Sequence, residues 1–206
     1  MTFYDFDKSG ELVEHAHPFD IELNCLVKTY YEVTREGIEQ TKERVISGAK
    51  SESAELTEIE AIENVDAWIS HERAFYDSLQ VAARNMALIA LMTRLTHWII
   101  NYARRVKPDC DVRSLGSGLR SLNNKFDENP PHPIIFFEQL ADLRDSLVHH
   151  DSEPEWVNYR GEPRRVNGKY VCGTRAEISH HDLVTAIDAA IAQVKWYDKK
   201  IETINK

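Results

Sequence analysis

Between Phe75 and Arg105, Leu79, Ala82, Met86, Ile89, Leu95, Trp98, Ile99 and Tyr102 recur at helical spacing in the longest strongly apolar run of the chain. An apolar face this wide needs covering from more than one side. The run therefore predicts the central helix of a bundle, and Pro108 closes it.

The flanking segments supply the other helices. Pro18 and Asp20 open a helix carried from about 21 to 47, with Leu23, Leu26, Val27, Tyr30 and Val33 on its apolar side and Gly48 as its end. Thr57 and Glu60 form a capping box for a helix bearing Ile59, Ile62, Val65, Trp68 and Ile69. The pattern leaves open whether that helix continues or bends between Ser70 and Arg73. A shorter helix is expected from about Ser114 to Phe126, then an irregular linker (DENPPHP), with Pro133 taking the first position of the next helix. Glu153-Pro154 stops that one. Ser179 and Asp182 cap a last helix, His180 to Ile204, with Leu183, Ile187, Ile191, Val194 and Tyr197 inward.

Asn167-Gly168, between alternating residues, predicts a β-hairpin insert at about 155–175. The fold class is thus all-α, a helical bundle with a small β-hairpin between the last two helices. Residues 1–19 read as a mobile tail and 20–206 as a single domain. Trp68, Trp98 and Trp196, on apolar helix faces, are expected in the core.

The chain has no signal peptide pattern and no uninterrupted apolar stretch of membrane-spanning length, so a cytoplasmic, non-membrane protein is expected. Cys25, Cys110 and Cys172 lie far apart without a CxxC pair, which suggests reduced thiols and neither a disulfide framework nor a structural zinc. A formal charge of -9 disfavours broad coating of nucleic acid while leaving room for a local basic patch.

One residue breaks the apolar pattern. In the segment 133–150, Phe136, Phe137, Leu140, Leu143, Leu147 and Val148 form an arc roughly 140° wide, and Arg144 falls inside it between Leu140 and Phe137. A guanidinium there is paired, or it lines an interface or site. Asp145 follows it, and His149 and His150 close the helix. The structural alternative is an ion pair with an acid of the bundle, Glu72 and Asp77 being candidates, and two histidines that complement the helix dipole.

Arginine, a polar residue directly after it, and a histidine after four to six intervening residues near a helix end are the hallmark of the HEPN superfamily. Arg144, Asp145 and His149, with His150 also within tolerance, resemble that motif. The resemblance rests on these residues and on the helical layout. It implies a metal-independent endoribonuclease with a composite site in a homodimer, no cofactor, an RNA substrate, a toxin or antiviral setting, and an antitoxin or other regulatory partner. Arg144 would bind the scissile phosphate, His149 would transfer protons and Asp145 would orient one of them. In the family a tyrosine two residues after the histidine can accept nucleotides; here Asp151 stands there, which argues against regulation of that kind. The runner-up is a non-catalytic module of the same type that binds RNA or a protein partner.

The residue types suit the chemistry. Cleavage through the RNA 2′-hydroxyl needs a base and an acid near pH 7, which histidine supplies, and a cation on the phosphate, which arginine supplies bidentately. On an ideal helix His149 lies roughly 140° around and roughly 7.5 Å along from Arg144, so two copies across a two-fold axis focus the pair better than one. The same wheel puts His150 nearer the arc, leaving the choice of histidine open. Arg175 and His180 repeat the spacing but span a loop and a helix start, the mark of a chance match.

The insert is locally basic, with Arg160, Arg164, Arg165, Lys169 and, just beyond, Arg175 against Glu162, and Trp156 or Tyr159 as stacking faces, so it is a candidate RNA-binding patch as well as an ordinary solvated hairpin. A metal cluster of His149, His150, Asp151 and a distant His132 has no fixed ligand spacing to support it, and no metal is expected.

Overall fold

The computed structural model describes residues 3–6, 12–15, 21–54, 59–108, 111–126, 129–149, 165–166, 169–170 and 178–204. They are mostly helical: α1 (Tyr30–Ser53), α2 (Ile59–Val106), α3 (Leu115–Asn123), α4 (Ile134–His149) and α5 (His180–Ile204), with a π-helical segment, Ile21–Thr29, running directly into α1. The central helix is longer than either apolar run that announced it. It passes through 70–73 without a break, and its 48 residues span roughly 70 Å at 1.5 Å per residue. Its C-terminal half holds the core: Leu88, Leu91, Met92, Leu95, Ile99 and Tyr102 are fully or almost fully buried, against Leu23, Val27 and Tyr31, Leu119 and Leu122, Phe137, and Leu183, Ala186, Ile187 and Val194.

Val33, Ile59 and Met86 are exposed although the pattern placed them on apolar faces, and three further expectations fail for identifiable reasons. Gly48 does not end the first helix, which continues to Ser53. A helical glycine costs only ~1 kcal/mol, less than packing against α2 returns. Tyr30 is 71% exposed and Tyr31 is buried instead. The i→i+5 rings of the π-helical segment turn the chain less per residue than an α-helix does, which rotates Tyr31 onto the face of Leu23 and Val27. Trp68 is 43% exposed, because it lies on the N-terminal half of α2, while the core cluster takes in that helix only from Ala83 onward. Trp98 and Trp196 are half-buried against the core.

The π-helical segment is clasped on two sides. Trp98 Nε1 donates to Glu22 Oε2 at 2.9 Å, and Lys28 pairs with Asp188 of α5 at 2.9 Å. The other boundaries follow their caps. Ser114 and Ser117 exchange backbone and hydroxyl hydrogen bonds at 3.1 and 3.2 Å to start α3, and the Ser179 hydroxyl accepts from Asp182 N at 3.0 Å to start α5. Thr57 lies outside the described residues.

Two short ladders complete the description. Phe3–Phe6 (β1) pairs antiparallel with Leu12–His15 (β2), within the stretch read as a tail. Arg165–Val166 (β3) pairs with Lys169–Tyr170 (β4). Two residues per strand do not establish the insert expected at about 155–175, most of which lies outside the described residues. No helix among the described residues is long and apolar enough to cross a membrane.

The glycines make a paired test of the packing. A Cβ on Gly118 would stand 2.7 Å from Ile99 Cγ2 and 3.3 Å from Val112 Cγ1, whereas one on Gly48 meets nothing within 4 Å. Ile99 is fully buried and β-branched, so it has no room to turn away. Overpacking at about 1–3 kcal/mol outweighs the helix-propensity gain of ~1 kcal/mol at Gly118. Gly118→Ala is expected to destabilise the protein by about 1 kcal/mol, and Gly48→Ala to stabilise it by about 0.5–1 kcal/mol. Urea unfolding reads both, and equal signs would contradict this packing.

Candidate functional site

Helix α4 packs on α2 and α3, and its entry is fixed by a buried polar chain. The fully buried Gln193 accepts from His132 N at 3.2 Å and donates to Tyr197 Oη at 3.1 Å, and the Tyr197 hydroxyl donates to Asn123 Oδ1. Burial pushes the Tyr197 pKa up to about 12, so it remains a donor at any physiological pH. Phe137, Leu140 and Leu143 then go inward, and Arg120 of α3 pairs with Glu138 on the flank.

This register brings Arg144 to the edge of the buried face. Its side chain is 29% exposed, and its Nε lies 2.7 Å from Asp145 Oδ1. That Nε is itself shielded from solvent and has no aligned hydrogen-bond partner, so the contact with Asp145 is an ion pair off the N–H axis rather than a well-formed bond. Asp145 is half exposed. The bundle acids suggested as alternatives do not pair with Arg144 here. Asp77 holds Lys42 at 2.7 Å, and Glu72 forms no ion pair among the described residues. Val148 corrects the wheel: at 48% exposed it lies beyond the buried arc rather than inside it. Ser146 is buried and donates its hydroxyl back to Asp142 O at 3.0 Å.

Helix α4 ends at His149, so Arg144, Asp145 and the His149 backbone share one continuous helix; the His149 side chain and all of His150 lie outside the described residues. So do Arg160, Arg164, Asp151, Trp156 and Tyr159, and the side chains of Arg165 and Lys169. His132 is removed from the suggested metal cluster by distance. It stacks on Phe136 and Phe137, at ring separations of 5.9 and 6.2 Å, at the opposite end of α4. A helix of 16 residues separates it from His149 by roughly 24 Å. No group of three metal-binding side chains occurs among the described residues.

A second polar cluster escaped the sequence reading. Tyr31 Oη lies 2.9 Å from His180 Nδ1, joining α1 to the first residue of α5 across 149 positions. Arg84 Nε donates to Ile178 O at 2.9 Å, and Gln80 Nε2 donates to Arg35 O at 3.0 Å, which brings α1 and α2 alongside one another at this level. Burial raises the Tyr31 pKa, against the opposing influence of Arg84 and Arg35. Partial desolvation of the ring and then Arg35 hold His180 below the ordinary imidazole range. Only the Arg175–His180 spacing pointed to any of these residues, and for another reason.

No family model matches the chain, and neither the characterised proteins nor the solved structures include a match.

Proposed function

We propose that the chain is a metal-independent endoribonuclease of HEPN type, acting as a cytoplasmic homodimer. The observation that carries the reading is Arg144: a half-buried guanidinium whose contact is the next residue, Asp145, and not an acid of the bundle. A structural arginine in an apolar arc is held by a partner across the core. Among the described residues the outer nitrogens of Arg144 make no hydrogen bond or ion pair. Val148, one turn on and half exposed, leaves apolar surface beside it that a second copy would cover.

In this mechanism the RNA 2′-hydroxyl attacks the adjacent phosphorus, a histidine takes its proton, and a histidine protonates the departing 5′-oxygen. Arg144 holds the non-bridging oxygens, and Asp145 restrains the guanidinium from behind. His149 is the preferred histidine. The products carry 2′,3′-cyclic phosphate and 5′-hydroxyl ends. A toxin or defence role, with an antitoxin or regulator as partner, follows from the resemblance.

The test is cleavage of several RNAs by the purified full chain in EDTA, with the ends of the products analysed. Cyclic phosphate ends are expected. A folded wild-type dimer that leaves all of them intact removes this reading. If it still binds RNA, it favours the module that binds without cleaving.

A further inference from the structure

The Tyr31–His180 contact has features that a purely structural hydrogen bond does not need. Two arginines flank it, and neither forms an ion pair among the described residues: Arg35, one turn along α1 from Tyr31, and Arg84 of α2. Arg35 Nε is shielded from solvent with no hydrogen-bond partner. Arg84 uses its Nε to hold the Ile178 carbonyl. Its two terminal nitrogens make no hydrogen bond among the described residues.

Among the described residues, the charges acting on the pair are Arg35 and Glu32 from α1, Arg84 from α2 and His181 from α5. Two guanidiniums among the described residues there face one exposed carboxylate. In a chain of formal charge -9 this is a local positive excess, and leaving guanidinium nitrogens unpaired in a half-buried place is costly.

We propose that Tyr31, Arg35, Arg84 and His180 form a binding site for a phosphate group, separate from Arg144 and independent of the ribonuclease reading. Donors from three helices suit a tetrahedral oxyanion better than a planar carboxylate, which a single guanidinium edge can satisfy. When the imidazole carries its proton on Nε2, the Tyr31 hydroxyl donates to Nδ1 and the Nε2–H remains free to donate. The exposed His180 gives the anion a way in, and Arg35 and Arg84 neutralise it. The phosphate can arrive as the free ion or as the terminal group of an RNA strand, since both present the same oxygens.

The experiment is a histidine-ring NMR titration of the full chain at constant ionic strength. The probes are inorganic phosphate, a 5′-phosphorylated trinucleotide and its 5′-hydroxyl counterpart. The His180 signal is identified by its loss in His180→Gln. Phosphate is expected to shift that signal saturably and to raise its titration midpoint, because a bound anion favours the imidazolium. Affinity should fall at least about tenfold, the loss of one charged hydrogen-bond donor, in both Arg35→Gln and Arg84→Gln. Arg84→Gln also loses the Ile178 contact, so Arg35→Gln, which breaks no side-chain bond, is the decisive variant. Tighter binding of the 5′-phosphorylated strand than of free phosphate identifies an RNA end as the source, and the reverse order identifies the ion. Binding of the 5′-hydroxyl strand as tightly as its phosphorylated counterpart overturns the site. So does a His180 signal that none of the probes moves, or an affinity that Arg35→Gln leaves unchanged.

Discussion

If the chain cleaves RNA as proposed, cleavage by Arg144→Ala is expected to fall by about 10²–10³-fold, the usual cost of removing one group that stabilises developing charge, while its urea midpoint stays close to wild type. The two readouts separate the catalytic arginine from the structural one. Losing one partner of a buried structural ion pair costs about 3–5 kcal/mol, but Arg144 is 29% exposed and its contact is with a half-exposed neighbour, where a pair is worth under about 1 kcal/mol. Arg144→Lys keeps the charge and loses the planar fork, so its rate should lie between the two. The composite site can be tested by mixing. If the arginine comes from one protomer and the histidine from its partner, Arg144→Ala and His149→Ala together form hybrid dimers with one intact site. With random pairing, about a quarter of the wild-type rate returns. A site contained within one chain regains nothing, and unchanged cleavage by Arg144→Ala removes the arginine from the mechanism.

Where the helices begin and end was legible wherever a cap or a proline marks it: Ser114, Pro108, Pro133, and Ser179 with Asp182. Local chemistry sets those boundaries, and local chemistry is what a sequence displays. Gly48 misled because a glycine's helix penalty is small beside tertiary packing. The Tyr30 and Tyr31 exchange was beyond any wheel drawn at 100° per residue, since the wheel assumes the α-helical turn that the π-helical segment lacks. The partial burial of Arg144 was legible for the opposite reason: α4 is regular, and its arc could be drawn. The Tyr31, Arg35, Arg84 and His180 cluster was not, because its members come from three helices and meet only after the bundle has formed.

The register of α4 underlies every statement about Arg144, and Phe137→Ala tests it with the largest expected loss of stability. Phe137 is fully buried, with its ring 5.2 Å from Phe136 at 81° and 6.2 Å from His132 at 85°. Truncating a buried phenylalanine costs about 3–5 kcal/mol through lost transfer energy and the cavity left behind. Domains of this size are held by only about 5–15 kcal/mol, so the urea midpoint should drop by a large fraction of its value. Ile135→Ala is the matched control. Ile135 is exposed on the same helix, roughly 160° around from Phe137, and its truncation should cost under about 0.5 kcal/mol. Arg144 lies two turns beyond Phe137 on the same face, roughly 20° away. If Ile135→Ala proved the costlier change, the buried face of α4 would be the opposite one. Arg144 would then project into solvent, and its shielded Nε would cease to support a site. The expected order, with Phe137 far costlier than Ile135, keeps the guanidinium at the rim of the core, where a phosphate can reach it and water only partly competes.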